Sequence, residues 1–413
     1  MSQLRVNGPR LQADLERLAQ IGRAPGGGIN RTAYSAADAE ARQWYQDCCD
    51  AAGLAVSLDG LGNTFAQLPH PAPTLPAVWT GSHIDTVPDG GPLDGALGTV
   101  AALECVRRLA ESRIELARPV RSVILSDEEG NYSGRLLGSY GLSHGYDHDE
   151  LAAMTGRGGD LLLDTLGSWS WSSGSPTQIK LAPGVVHSFV ELHIEQGPNL
   201  AAEGIDIGVV TSIVGLCGAR VEFLGRADHA GTTPMGMRRD ALRAASDFVT
   251  QLPGIAASVA DTAVATCGRL NVEPGGANVV PGRVELSVDF RDQSLSNIEA
   301  MRSLLHQAAT DAGRRHDIEV VWTPQPVVHP VPMTDEIRSV IADSADELGY
   351  SRRDLLSGAG HDSQNMARLA PTGMIFVPSR DGRSHSPAEY TDFAAIERGA
   401  NVLLVTLLRL ASR

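Results

Sequence analysis

Five islands of histidine, aspartate and glutamate, scattered between residues 81 and 389, constrain this chain more than any other feature. They are Gly81-Ser-His-Ile-Asp-Thr-Val87, Leu93-Asp-Gly-Ala-Leu-Gly98, Ser126-Asp-Glu-Glu-Gly130, Glu191-Leu-His-Ile-Glu-Gln-Gly197, and a C-terminal island made of Ser357-Gly-Ala-Gly-His-Asp-Ser-Gln-Asn-Met-Ala367 and Arg383-Ser-His-Ser-Pro-Ala-Glu389. Each lies beside a predicted strand end and a glycine. One island alone reads as a solvated turn or a hydrogen-bonded pair. Together they require a fold that gathers strand ends, and they read as one carboxylate-rich site for two metal ions. Such a site does hydrolytic chemistry.

An α/β sheet gathers strand ends in this way, because its sites collect at the carboxyl ends of the strands. Ala77-Val-Trp-Thr is a predicted strand running into Gly81-Ser-His, residues 99–110 form a predicted helix, and Val120-Arg-Ser-Val-Ile-Leu is a buried strand ending at Ser126-Asp-Glu-Glu. Residues 10–21 and 34–52 carry helical periodicity, the first through Leu11, Leu15 and Leu18, the second opening after Ser35. Near residue 213 the pattern changes to strand 219–224, helix 238–252, strand 262–270, strand 283–290, helix 295–313 and strand 317–323. This β-α-β-β-α-β order is that of the ferredoxin-like split unit, whose ends lie close together and suit insertion. A helix over 334–349 then returns the chain to the first unit. The expected architecture is α/β: a mixed-sheet metallohydrolase catalytic domain of residues 1–212 and 329–413, interrupted by a ferredoxin-like α+β domain over 213–328.

The 413 residues carry a net charge of −15, which argues against nucleic acid or an anionic membrane as partner. The N-terminal stretch lacks the apolar core of a signal peptide, and no segment is long enough to span a bilayer. Five cysteines without CxxC spacing read as reduced thiols, so the expected compartment is the cytoplasm.

The residue types set the site chemistry. His83 and Asp85, two apart, would face one side of a strand, an imidazole ligand with a carboxylate to orient it. Asp94, ahead of a helix, is placed to offer one oxygen to each of two metals. Glu128 and Glu129 are adjacent, so their side chains diverge: one binds metal while the other holds the attacking water as general base. His193 and His385 add nitrogen ligands. This mix of oxygens and nitrogens suits zinc, manganese, cobalt or nickel rather than calcium or magnesium, with two divalent ions per subunit.

On these motifs the chain resembles the two-metal aminopeptidase–carboxypeptidase superfamily. It is most similar to the amidohydrolase branch of N-carbamoyl-L-amino-acid hydrolases, β-ureidopropionases and allantoate amidohydrolases. Glu191-Leu-His-Ile-Glu-Gln-Gly-Pro198, Ala227-Asp-His-Ala-Gly-Thr-Thr-Pro-Met235 and Gly360-His-Asp-Ser-Gln-Asn-Met-Ala367 carry the likeness to that branch. The resemblance implies His83, Asp94 and His193 around one metal, Asp94, Glu129 and His385 around the other, and Glu128 as general base, with Asp85 beside them. It further implies a lid and dimerisation role for the inserted domain. His229 would polarise the scissile carbonyl, from its own chain or across a homodimer; Asn278 and Arg291 would hold a substrate carboxylate; Gln196 and His361 would complete the pocket. The implied substrate is a small ureido acid, an N-carbamoyl L-amino acid, with allantoate or a β-ureido acid next and an N-acyl amino acid behind them. A catalytically silent binding protein is the reading from another class, which the full ligand set opposes. Asn131-Tyr132-Ser133 departs from the Ser-Arg-Phe common in the branch, which bears on the substrate rather than on the metals.

Overall fold

The computed structural model describes residues 4–412; Met1–Gln3, part of the stretch read above as lacking a leader's apolar core, and Arg413 lie outside the described residues. The chain divides into two compact units, residues 1–211 with 333–413, and residues 212–332. These limits fall within four residues of the expected insertion.

The first unit is built on a nine-stranded mixed sheet. Its strands are β1 (Ala55–Leu58), β2 (Thr64–Gln67), β3 (Ala77–Ser82), β4 (Val120–Ile124), β5 (Val186–Ile194) and β6 (Ile207–Ile213). The inserted unit contributes β7 (Gly215–Leu224), β8 (Val264–Glu273), β9 (Arg283–Asp292) and β10 (Glu319–Pro324). The chain returns through β11 (Val331–Pro332), β12 (Arg352–Ser357) and β13 (Thr372–Val377). The large sheet runs β1-β2-β4-β3-β5-β13-β6-β11, with β12 also on β6. Its centre, β4-β3-β5-β13, is parallel. All six residues of β3 and of β13 are buried, as expected of parallel strands covered on both faces. The helices Ala96–Ser112 and Phe393–Ala411 supply much of that cover, and their buried leucines and valines join one core cluster with β3, β5 and β13. Because the central strands share a direction, their carboxyl ends open on one edge, where the polar islands follow.

The inserted unit is an antiparallel sheet in the order β10-β7-β9-β8. Numbered along the insertion this is 4-1-3-2, the ferredoxin-like arrangement. In β9 burial alternates residue by residue, with Val284, Leu286, Val288 and Phe290 turned to the helices and Arg283, Glu285, Ser287, Asp289 and Arg291 on the other face. The helix expected over 238–252 is two helices, Ala241–Val249 and Leu252–Val259. Pro253 is the reason: it has no N–H to donate and is tolerated only in a helix's first turn, so the chain breaks before it. The crossings between the units are themselves paired, Leu216 with Val328 through hydrogen bonds of 3.0 and 2.8 Å and Ile213 with Val331 in β6 and β11. These crossing segments, which carry Gly215, Gly218, Pro326 and Pro330, therefore form a two-stranded ribbon.

Among the described residues no helix is long and apolar enough to cross a membrane, and the five cysteines are unpaired.

Candidate metal centre

His83 and Asp85 follow the end of β3 rather than lying within it, which corrects the strand argument for their common orientation. Their relation is set by hydrogen bonds. His83 Nδ1 donates to the Asp85 backbone carbonyl at 3.0 Å, while the Asp85 carboxylate stands farther off at 3.8 Å. That carboxylate instead accepts the backbone N–H of Glu129 at 3.0 Å and of Glu128 at 3.4 Å. Asp85 thus positions the two glutamates, and its main chain, not its side chain, fixes the His83 ring.

His193 on β5 repeats the device: Nδ1 donates to the Ile194 carbonyl at 2.9 Å. Both rings therefore present Nε2 to Asp94 Oδ1, at 3.7 Å for His83 and 3.2 Å for His193. On the other oxygen, Asp94 Oδ2 meets His385 Nε2 at 3.2 Å, and His385 stands 3.5 Å from Glu129. Asp94 can occupy this midpoint because Gly95 turns the chain with φ +62° into the helix Ala96–Ser112. A Cβ at Gly95 would stand 2.3 Å from the His83 ring.

Two three-ligand groups result, His83-Asp94-His193 and Asp94-Glu129-His385, sharing Asp94. A third grouping, Glu191-His193-His361, is occupied by hydrogen bonds. Glu191 accepts from Ser82 Oγ at 2.7 Å and from Ser363 N and Oγ at 3.1 and 2.7 Å, so it ties β3, β5 and the helix Ser363–Met366 together.

The donor set fits a divalent cation in each of the first two groups. Neutral imidazole nitrogens face a carboxylate oxygen, a repulsive arrangement unless a proton or a cation stands between them. Without metal, protons take that place. Burial would lower the His193 pKa, but Asp94 overrides it and lifts it to about 9. The hydrogen bond to Asp94 raises His385, also to about 9. Glu129 Oε1 is buried with no hydrogen-bond partner among the described residues, as a ligand oxygen would be. Burial, then the charge of Asp94, pushes the Glu129 carboxyl to about 7.

Glu128 belongs to neither group. Its Oε2 lies 3.6 Å from His83 Nε2, and burial followed by the charges of Asp362, Glu129 and Asp94 holds its carboxyl well above the usual range. A carboxyl with raised proton affinity beside a ligand pair is suited to a general base.

Gln196, with φ +56°, donates its amide to Asp94 Oδ2 at 2.7 Å and keeps a buried Oε1 without a partner among the described residues. His361 is neutral: burial takes its pKa far down, Nε2 meets Ser357 Oγ at 2.9 Å, and its ring packs edge-on against His193 at 4.4 Å.

Three contributors carry no expectation above. Glu389 Oε1 accepts the N–H groups of Leu93 and Asp94 at 2.7 and 3.0 Å, and Ser384 Oγ lies 2.7 Å from both Asp94 and Glu389. Glu389 closes the last island, which was its signal. The third is Arg157, exposed, whose guanidinium donates to the Glu129 carbonyl at 2.9 Å. It brings a cation to the turn where Asn131-Tyr132-Ser133 lacks the branch's arginine. Tyr132 itself is buried in a separate aromatic cluster with Tyr34 and is hydrogen-bonded to Thr165 at 2.9 Å.

In the inserted unit, His229 Nδ1 accepts from the backbone of Gly231 and Thr232 at 3.0 and 3.2 Å, which leaves the proton on Nε2 of an exposed ring. Asn278 lies beside it, its carbonyl accepting from Ala230 at 2.9 Å. Arg291 stands at the far end of β9, its fork on Asp289 at 2.8 and 3.2 Å. The ten residues of β9 span about 30 Å at a strand's usual rise. Asn278 and Arg291 of one chain therefore cannot close on one carboxylate.

A parallel-centred sheet with two candidate ligand groups sharing Asp94 at its strand ends, interrupted by a 4-1-3-2 α+β unit, defines a metal-dependent hydrolase. The chain belongs to peptidase family M20/M25/M40, whose model matches residues 79–409. It is 37% identical to an N-carbamoyl-L-amino-acid amidohydrolase of Paenarthrobacter aurescens over 98% of each chain. It is 34% identical to an allantoate amidohydrolase of Bacillus subtilis strain 168 over 96% of each. A crystal structure from Burkholderia multivorans, described as an amidase of the hydantoinase/carbamoylase family, matches with a TM-score of 0.93 at 34% identity, covering 99% of both chains.

Proposed function

We propose that this protein is a cytoplasmic, homodimeric amidohydrolase that cleaves the carbon–nitrogen bond of N-carbamoyl L-amino acids. The observation that carries the reading is Glu128, held beside two ligand groups that share Asp94 while belonging to neither. The relatives named above support the substrate class.

His83, Asp94 and His193 would hold one divalent ion, zinc, manganese, cobalt or nickel, and Asp94, Glu129 and His385 the other. Bound there, the ions supply Lewis-acid polarisation and acidify water. Glu128 takes the proton of the attacking water as oxygen bonds to the ureido carbon, then delivers it to the amino-acid nitrogen as the carbon–nitrogen bond breaks. The products are the free amino acid and carbamate, which decomposes to ammonia and carbon dioxide. His229, its proton on Nε2, donates to the oxyanion, a contribution typically worth a few kcal/mol. Gln196 and His361 line the pocket. The substrate carboxylate is met by the Arg291 fork and by Asn278. Because these lie at opposite ends of β9, the pair that closes on one substrate comes from two chains, with the inserted unit as lid and dimer contact.

The test is a substrate panel of N-carbamoyl and N-acetyl amino acids and allantoate, after chelation and re-addition of manganese, zinc, cobalt or nickel. N-carbamoyl amino acids should be hydrolysed fastest and only with metal. Preference for allantoate would move the assignment to the activity named for the Bacillus subtilis relative, and metal-independent turnover would sink it.

A further inference from the structure

The turn that carries Glu128 and Glu129 is closed by a second piece of chain that belongs to no ligand group. Residues 154–162 fold back on themselves: Thr155 pairs with Leu161, the Leu162 N–H reaches the Met154 carbonyl at 3.0 Å, and the Gly156 N–H reaches the Asp160 carbonyl at 2.8 Å. Arg157 stands near the tip of this hairpin. Its guanidinium donates to the Glu129 carbonyl at 2.9 Å, and its backbone N–H to Asn131 Oδ1 at 3.4 Å. Tyr132 pins the hairpin from the other side. Its ring lies so close to Gly156 that a Cβ there would stand 3.0 Å from it. Its hydroxyl donates to Asp160 Oδ2 and lies 2.9 Å from Thr165 Oγ1, while Thr165 donates to the same Asp160 oxygen at 3.0 Å.

The circuit matters because of where it returns. Glu129 sends its carboxylate to the second ligand group, 3.5 Å from His385 Nε2, and its backbone N–H is held by Asp85 Oδ2 at 3.0 Å. Its carbonyl leads into Gly130, at φ +69°. A glycine has no Cβ to restrain the peptide before it, so the orientation of the Glu129–Gly130 peptide depends on what holds that carbonyl. The nearby carboxylates are already occupied. Asp127 accepts the N–H groups of Asn131, Tyr132 and Ser133 at 2.6, 3.0 and 3.1 Å, and Asp160 accepts from Tyr132 and Thr165. A guanidinium N–H on a carbonyl is charge-assisted and stronger than a neutral bond.

We infer that Arg157 is a positioning residue for the metal ion of the Asp94-Glu129-His385 group: carried on a hairpin that Tyr132 pins, it fixes the Glu129 carbonyl as Asp85 fixes the Glu129 N–H. Its effect falls on that ion alone. The inference rests on the proposed function through the role of Glu129 as a ligand. It also moves the Asn131-Tyr132-Ser133 triplet from the substrate, where its departure from the branch pattern pointed, to the metal.

The experiment titrates metal-free protein with manganese, in competition with a chelator, for the wild type, Arg157→Ala, Arg157→Lys, Tyr132→Phe and Glu129→Gln. The wild type should take up two ions, and Glu129→Gln, losing one, marks which of them the Glu129 group holds. Arg157→Ala should weaken that ion by about 10-fold, the lower end of what the outer partners of metal ligands contribute, and leave the other ion within about twofold. Because Arg157 is exposed, the Tm of the metal-free protein should not move. Arg157→Lys keeps one donor and should recover part of the loss. Tyr132→Phe should weaken the same ion by a smaller factor, and adding it to Arg157→Ala should change nothing further, because both act through one bond. Equal weakening of both ions with a lowered Tm would make Arg157 merely structural and overturn the inference. Unchanged affinities in Arg157→Ala, or losses that multiply in the double variant, overturn it as well. Uptake of a single ion by the wild type, or retention of both by Glu129→Gln, sinks the ligand assignment of the proposed function and this inference with it; the other failures leave that assignment standing.

Discussion

The two units place functional groups in opposite ways. In the first, the candidate ligands His83, Asp94 and His193 are buried, His385 is exposed, and the cluster is locked by partners far away in sequence, such as Glu389 on the backbone of Asp94, 295 residues apart. In the inserted unit, His229 is fixed by N–H groups two and three residues on, and Arg291 by Asp289 two residues back. The first arrangement exists only when the whole unit is folded and holds its geometry against like-charge repulsion. The second is local, with His229 exposed and Arg291 half-buried. The contrast is between a cluster assembled by long-range partners and donors fixed by their own neighbours in the chain.

The comparison is broken most directly at Glu128. Glu128→Gln should retain metal and lose about 10²- to 10⁴-fold in turnover, whereas Glu129→Gln should lose metal; equal metal loss by elemental analysis would mean the two glutamates share one role. Next is the support of Asp94. Glu389→Ala strips acceptors from Leu93 and Asp94 and should weaken metal affinity by about 10- to 100-fold in a chelator titration. Unchanged affinity would show that the ligand loop is held without it.

The inserted unit is tested by mixing. Inactive His229→Ala and inactive Glu128→Gln proteins should regain activity after subunit exchange, since one site of the heterodimer then joins an intact Glu128 to an intact His229. Failure despite proven exchange would return His229 to its own chain.

Protons give a smaller effect. In metal-stripped protein the pKa values of His193 and His385 rise to about 9, and those of Glu129 and Asp362 to about 7. Asp94 drives the histidine shifts against burial, whereas burial is the first cause for both carboxyls. Each raised group binds its proton more tightly folded than unfolded, so stability falls as pH rises from the carboxylate range to about 9. Asp94 is shifted the opposite way, held well below its usual range by His193 and His385 against its burial, and its contribution is complete above that range. Tm without metal should therefore drop from pH 5 to 9, with the gain on adding metal growing over the same interval; a flat profile would mean the ligand cluster relaxes when empty. The smallest expected effect is a cap: Asp240 accepts from Leu242 and Arg243 at 3.1 and 3.3 Å, and Asp240→Ala should cost about 1 kcal/mol in denaturant unfolding while leaving metal content unchanged.

The sequence by itself determined what is local or periodic. The β-α-β-β-α-β order of the insertion and the islands that carry the candidate metal ligands follow from side-chain spacing and glycine-marked strand ends. The β13 strand, buried at every position, and the helix Phe393–Ala411 drew no expectation. Only the tertiary structure decided what each acid does. Glu128, Glu191, Asp362 and Glu389 all stand in polar islands. One faces His83, one is spent on two serines, one is buried beside Ser139, and one grips the Asp94 loop. Those differences lie in partners up to 296 residues away, and no spacing rule carries them: a carboxylate's role is set by the donors that the sheet brings to its two oxygens.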